Sequence, residues 1–370
     1  ALLLIGGVPL CFVIQEGFKK SSLQKSAIFI LSALFAIMPA TVRNYVVGGE
    51  FVPITSGGGE IFYMSYYEGC DGTYIPPDFV YTANPLAEHE EFRQEAIRRT
   101  GRQMSRKESS DYWTEEGMNY IKEDPKRLLV LLYKKFVVFW NYYEIPDNQN
   151  FYFMKVLTNV MNFTLAFGTV APLGILGVLV SLKHWRRLMP VYTFFLVYMV
   201  SVLIVFNISR YRVPALPVLI VFSAFFIEWF LKSLNEKKLS KTLFAGAGFL
   251  FLFLLVNVNI GGKDPYKSGF PTEYTKLGKS YMLENDVDGG KRSYGKLVEI
   301  APEAFEGHFG LGRIAIKERD YDKAVMHLEN AVRAAPGYSQ GYFALAVAYR
   351  KTGRHKEAQK AMKFGYMNKR

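Results

Sequence analysis

FEGHFGLGRIAIKERDYDKAVMHLENAVRAAPGY, residues 305–338, fixes the reading of the last part of this chain, because it is one unit of a period. Leu277-Gly278, Leu311-Gly312 and Leu345-Ala346 are each 34 positions apart. The same step relates Tyr281, Ala315 and Tyr349, then Ala324 and Ala358, and also Pro302 and Pro336. Small residues at two fixed places let paired helices approach closely, and the proline ends each unit. The quoted copy is the most regular, with Asp320-Tyr321 at its turn and Ala331 on its second helix. The first copy is the least regular, since Gly290 stands where the pattern expects alanine.

This pattern resembles the tetratricopeptide repeat, in copies over 271–304, 305–338 and 339–370 within a C-terminal domain 261–370. Such stacks present a concave surface to a peptide or protein partner and have no chemistry of their own. A protein partner is therefore expected, with packing over the rest of the chain as the structural alternative.

Upstream of the repeats the solvent changes. Half of the chain is apolar, with 30 Phe and 24 Tyr, and apolar stretches at 1–15, 26–42, 157–182, 190–208, 214–231 and 242–260 approach or reach the roughly 20 residues needed to cross a bilayer. The fold expected is all-α: a polytopic transmembrane bundle followed by a helical repeat solenoid. Lys19, Lys20 and Lys25 follow the first span, Lys183, Arg186 and Arg187 the third, and Lys232, Lys237, Lys238 and Lys241 the fifth. These basic loops alternate with the other connections, so all can be cytoplasmic together. Segment 43–156, turn 209–213 and the repeats then fall on the opposite face. The net charge of +12 is accounted for by such loops, and no nucleic-acid partner is expected. The chain opens on Ala1 inside an apolar run without a basic leader, which is expected of a longer membrane protein whose C-terminal part this is.

The domains expected are thus 1–42 (two helices), 43–156 (a mainly helical insert), 157–260 (four helices) and 261–370. Within the insert, Asn84-Pro85 opens a helix over about 86–100, and Ser105 with Glu108 forms a capping box. Asp124-Pro125 supplies an N-cap and an N1 proline for a helix over 125–140. That helix carries Lys134 and Lys135 in an apolar run. Two ammonium groups in mid-bilayer would cost about 5–7 kcal/mol, so it is expected along the membrane interface, with Trp140, Tyr142 and Tyr143 at headgroup level.

Chemistry is sought at the outer ends of the spans. Arg43 and Tyr45 leave the second span, and Arg210, Tyr211 and Arg212 fill the turn Ser209–Pro214. Arginine on that face runs against the positive-inside tendency, and a guanidinium fork beside a bilayer suits a lipid phosphate; snorkelling to headgroups is the plain alternative. Gly57-Gly58-Gly59 lacks the lysine and strand context of a P-loop and is expected to be a flexible turn. Glu50, Glu60, Glu68 and Asp71 could each line a site, with no spacing to single one out. Five scattered His and two Cys give no metal-ligand set. No cofactor is expected, and dependence on a divalent metal is left open.

RNYVVGGEFVPITSGGGEIFYMS, then DYWTEEGMNYIKEDPKRLLVLLYKKFVVFWNYYEIPDNQNFY, then SRYRVPALP between two spans, is similar to the second half of bacterial GT-C membrane glycosyltransferases. These are relatives of the protein O-mannosyltransferases and lipid A aminoarabinose transferases, in a branch ending in tetratricopeptide repeats. The resemblance implies a polyprenyl-phosphate-linked sugar donor, a protein or envelope glycolipid acceptor, and reaction on the outer face of a bacterial inner membrane. It implies that Arg210, Arg212 and Arg43, with Tyr211 and Tyr45, hold the donor phosphate. It also places the acidic base in an earlier outer loop absent from this chain, so this chain alone is expected to be inactive. The competing readings are an O-antigen ligase or polymerase, which would lack the DYW…FWN insert, and a non-catalytic membrane-anchored repeat scaffold.

Overall fold

The computed structural model describes residues 4–49, 51–53, 57–80, 85–147, 149–260 and 269–368. The described residues are helical apart from connections and one isolated parallel bridge between Thr73 and Asn207. They form two compact units, one of 1–147 with 163–260 and one of 148–162 with 261–370. Segment 148–162 therefore lies with the repeats, although it sits in sequence between the insert and the apolar helices.

In the first unit, α1 (Leu4–Glu16) packs on α2 (Lys20–Gly48), which keeps Ile28, Leu31 and Phe35 exposed. The insert contains α3 (Gly58–Met64), α4 (Pro85–Thr100), α5 (Arg106–Glu123) and α6 (Pro125–Trp140). Both bonds of the expected capping box are present, Ser105 N to Glu108 Oε2 at 2.7 Å and Glu108 N to Ser105 Oγ at 3.2 Å. Asp124 caps α6 by accepting from Arg127 N at 3.0 Å. The Asn84 cap, Glu50 and Thr55-Ser56 lie outside the described residues.

After α7 (Phe151–Leu157), which belongs to the second unit, come α8 (Phe167–Ser181), α9 (Trp185–Ile204), the short α10 (Ser209–Arg212), α11 (Leu216–Asn235) and α12 (Leu239–Val256). The span expected over 157–182 thus begins ten residues later, at Phe167: a 3-10 turn over Asn159–Phe163 breaks the helix that the apolar run suggested. Lys20–Gly48, Phe167–Ile204, Ser209–Asn235 and Leu239–Val256 are long and apolar enough to cross a membrane. The second of these is hinged at Leu182–His184. Ser181 Oγ and Tyr192 Oη, eleven positions apart, meet at 2.6 Å, a distance possible only if α8 and α9 fold back on each other.

Helix direction then sorts the ends. Gly168, Ile204, Ala215 and Val256 lie toward the insert, while the basic turns 182–187 and 232–241 lie at the opposite ends. Gln15 donates to the Arg186 carbonyl at 2.8 Å, which brings the end of α1 to the basic side as well. The alternation in the sequence is therefore an alternation in space.

The second unit contains three helix pairs: α13 (Phe270–Leu283) with α14 (Val287–Ile300), α15 (Phe305–Glu318) with α16 (Tyr321–Ala334), and α17 (Ser339–Lys351) with α18 (His355–Met367). Where alanine or larger residues would intrude, glycine allows contact. A Cβ on Gly278 would meet Tyr294 Cε1 at 2.7 Å, and one on Gly312 would meet Leu328 Cγ at 2.5 Å. The irregular Gly290 has the same reason, since its Cβ would fall 2.7 Å from Met282 Sδ. A feature not read from the sequence also repeats: Asn285, Arg319 and Gly353, 34 apart, all adopt the left-handed conformation at the turn between paired helices.

Candidate functional site

The insert folds onto the ends of α9–α12 as one packed subdomain. Tyr63, Met64, Phe92, Trp113, Phe206 and Ile208 share a buried core, with Tyr63 and Trp113 ring centroids 4.5 Å apart. Two backbone links seal it to the turn before α10: Asn207 N donates to Gly72 O at 2.8 Å and Ser209 N to Ile145 O at 3.2 Å. Asn207 itself is buried and donates from Nδ2 to the Lys135 carbonyl at 2.8 Å.

Arg212 is the centre of this junction. In place of the open anion receptor expected of it, its side chain is 3 % exposed and faces protein acceptors. Nη2 lies 2.7 Å from Glu144 Oε2 and 2.9 Å from the Tyr143 carbonyl, and Nη1 lies 2.5 Å from the Asn141 carbonyl. The Phe167 ring covers the guanidinium, 4.3 Å from Cζ to the ring centroid. The guanidinium fork thus takes up the carbonyls freed where α6 ends, rather than a lipid phosphate.

Arg210 is different. Its side chain is 60 % exposed and pairs with Asp147 at 2.9 Å, so it remains open to an anion. Tyr211 packs against Phe206 and is committed through its carbonyl to the Tyr198 hydroxyl. Arg43 and Tyr45 lie exposed on the last turns of α2, and no described contact brings them to Arg210. Of the five residues expected to share one phosphate, Arg210, Tyr211 and Arg212 stand on α10, and Arg43 and Tyr45 on α2.

Helix α6 separates its two lysines. Leu131, Lys135 and Phe139, spaced at four, form its buried face, while Leu129, Val130 and Tyr133 are exposed. Lys134 faces outward, but Lys135 turns into the protein, where its Nζ has no hydrogen-bond partner and sits 4.1 Å above the Tyr66 ring. Burial lowers its pKa to about 8. Trp140 packs on Phe139 and Phe195.

A small pocket opens where α3, α4 and the start of α5 meet, lined by Glu60, His89, Arg93, Arg106 and Ser109. The glycine run builds it, as an ordered close approach rather than the flexible turn expected. A Cβ on Gly59 would fall 1.7 Å from the Ser110 carbonyl oxygen, and one on Gly57 would fall 2.3 Å from His89 Cε1. Gly59 N donates to Ser110 Oγ at 2.9 Å. Burial raises the Glu60 carboxyl above its ordinary range, opposed by its own backbone N–H, His89 and the Ser110 hydroxyl. Of the outer-loop carboxylates among the described residues, Glu60 is buried while Glu68 and Asp71 are exposed. His89, Arg93, Arg106 and Ser109 were not legible as its neighbours. The capping box placed Arg106 and Ser109 at a helix start, but nothing in the sequence paired that start with residue 60.

In the second unit, residues 275–338 and 315–363 match models of the tetratricopeptide repeat. The C-terminal helix pairs are tetratricopeptide repeats. Within the repeats the buried His308 meets the half-buried His327, their Nδ1 atoms 3.1 Å apart, while His308 Nε2 meets the Pro302 carbonyl at 3.0 Å. Tetratricopeptide repeats commonly mediate protein–protein contacts, which makes a protein partner the coarse reading for this unit. No curated protein matches the chain.

Proposed function

We propose that this chain is part of a membrane-embedded glycosyltransferase that takes a sugar from a polyprenyl-phosphate-linked donor to a protein or envelope glycolipid on the non-cytoplasmic face. The observation that carries the reading is convergence. Of the three stretches that resemble the GT-C enzymes, 43–65, 111–152 and 209–217, the parts 57–65, 111–147 and 209–214 meet in one subdomain joined by Arg212 and the shared aromatic core. That subdomain stands at the ends of the apolar helices remote from the basic turns, where a lipid-linked donor would present its phosphate. Arg210 is the group that faces outward there, and a guanidinium next to a leaving phosphate stabilises charge as the glycosidic bond breaks. Arg212 acts as a positioning residue. The tetratricopeptide unit would hold a protein partner or acceptor.

The test uses the full-length protein in nanodiscs with a polyprenyl-phosphate-sugar. Arg210→Ala should lower transfer at least tenfold while leaving the melting temperature unchanged, since an exposed ion pair contributes little to stability. Unchanged turnover discards Arg210 as the phosphate ligand, and failure of every lipid-linked sugar to react discards the transferase. The second reading, a membrane-anchored scaffold, is favoured by the match to repeats alone. It would be recognised by partner capture through the repeats without any transfer.

A further inference from the structure

The pocket of α3, α4 and α5 contains two buried polar atoms with no partner. Glu60 is 4 % exposed and its Oε2 has no hydrogen bond, and Ser109 is 1 % exposed with its Oγ equally unpaired. Buried polar atoms are almost always satisfied, and two orphans lining one pocket call for a group that both donates and accepts. A hydroxyl does both: it can donate to the carboxylate oxygen and accept from the serine.

The rim carries the opposite demand. Arg106 is exposed and has no ion pair among the described residues. Arg93, which lines the same pocket, already gives Nε and Nη2 to the Glu90 carboxylate at 2.9 and 2.7 Å and Nη1 to the Met104 carbonyl at 3.0 Å. Arg106 is thus the guanidinium left open to an anion, and Arg93 backs it. A free cation would meet two guanidinium groups, and a bare anion pushed to the floor would meet the Glu60 carboxylate. The pocket as a whole has room for about one water-sized group, so only the hydroxyl enters it and the rest of the ligand lies outside, over the rim. The arrangement fits a hydroxyl on a carbon skeleton whose neighbouring substituent is an anion.

We propose that this pocket binds an acidic sugar unit, with its carboxylate or phosphate on Arg106, backed by Arg93, and an adjacent hydroxyl seated on Glu60 and Ser109. The site is independent of the donor-phosphate reading, because it shares none of Arg43, Tyr45, Arg210, Tyr211 and Arg212. The ligand is a free acidic monosaccharide or the end of an acidic glycan, which present the same chemistry.

The experiment titrates the full chain in nanodiscs with glucuronate, glucose 1-phosphate, methyl glucoside and acetate, read by saturation-transfer NMR. Both acidic sugars should bind at least about tenfold more tightly than methyl glucoside or acetate, the step expected of one hydrogen bond to a charged group. Arg106→Gln should bring the acidic sugars down to the level of methyl glucoside, and Ser109→Ala should weaken them severalfold. Arg106 is exposed, so its variant reports binding without loss of fold, and the melting temperature checks both. An oligouronate run beside the monomer separates the two sources, tighter oligomer binding assigning a glycan end. Equal binding of acetate and glucuronate, or binding indifferent to Arg106 and Ser109, overturns the proposal. So does the absence of sugar binding, which would leave the floor to a water molecule.

Discussion

Arg212 and Glu144, 68 residues apart in sequence, meet at 2.7 Å in an ion pair whose arginine is buried and whose carboxylate is partly so, tying the turn between two apolar helices to the end of α6. The same guanidinium satisfies the Asn141 and Tyr143 carbonyls. One side chain thus closes a helix end that would otherwise leave buried acceptors unpaired.

Arg212→Met should therefore destabilise the first unit by about 3–5 kcal/mol, the cost of leaving a partly buried partner charge uncompensated. Arg212→Lys should recover only part of this, because an ammonium cannot span the same acceptors. Thermal unfolding of the purified protein checks both. An unchanged midpoint for Arg212→Met would remove the positioning role.

Lys135 predicts the opposite sign. Its Nζ is buried without a hydrogen bond, above Tyr66, so Lys135→Met should stabilise by about 1–3 kcal/mol at pH 7. Burial lowers the folded pKa to about 8 from 10.5, so the charged form is penalised in the folded state. That penalty is complete below about pH 8 and fades as pH rises toward 10.5, where both states are neutral. The advantage of Lys135→Met should shrink over that window. An equal advantage at pH 7 and pH 10 contradicts this account.

Acid should act through Glu95. The Arg98 side chain, followed by Arg99, holds its carboxyl at about 2, against an ordinary 4.5. A carboxylate lowered in the folded state contributes stability that is whole above about pH 4.5 and is lost as pH falls toward 2. Trp113, buried beside Phe92 and 5.0 Å from the Arg99 guanidinium, is the reporter. Glu95→Gln should lower stability at neutral pH and flatten the acid dependence of Trp113 fluorescence. The same slope in both proteins would assign the acid sensitivity elsewhere.

Within the repeats, Arg319 sits at φ 64°, where its equivalent Gly353 has no steric cost. Arg319→Gly should stabilise the repeats by about 1 kcal/mol. Gly312→Ala should destabilise them by about 1–3 kcal/mol, because its methyl would press on Leu328. Calorimetry of the full chain resolves the pair, and the two midpoints should move in opposite directions.

The repeat register, the capping box at Ser105, the Asp124 cap and the alternation of basic turns were all legible from residue order. Each depends on neighbours within one helix, one turn or one period, and local spacing fixes those contacts. The Phe167 start of α8 was not legible, because an apolar run reads the same whether or not a 3-10 turn interrupts it. Nor could the sequence say that Arg212 points inward while Arg210, two positions away, points out. In a four-residue helix the facing of each side chain is set by what packs on it, and here that is α6, some 70 residues earlier. The pocket at Glu60 belongs to the same class. Its five side chains come from α3, α4 and α5, and their juxtaposition depends on Gly57 and Gly59 admitting His89 and the α5 backbone at distances no larger residue permits. The sequence by itself determined how the repeats register and where the helices capped by Ser105 and Asp124 begin, since those follow from local spacing. Only tertiary packing decided which charges are buried and which remain open to a ligand, since burial is settled by partners distant along the chain.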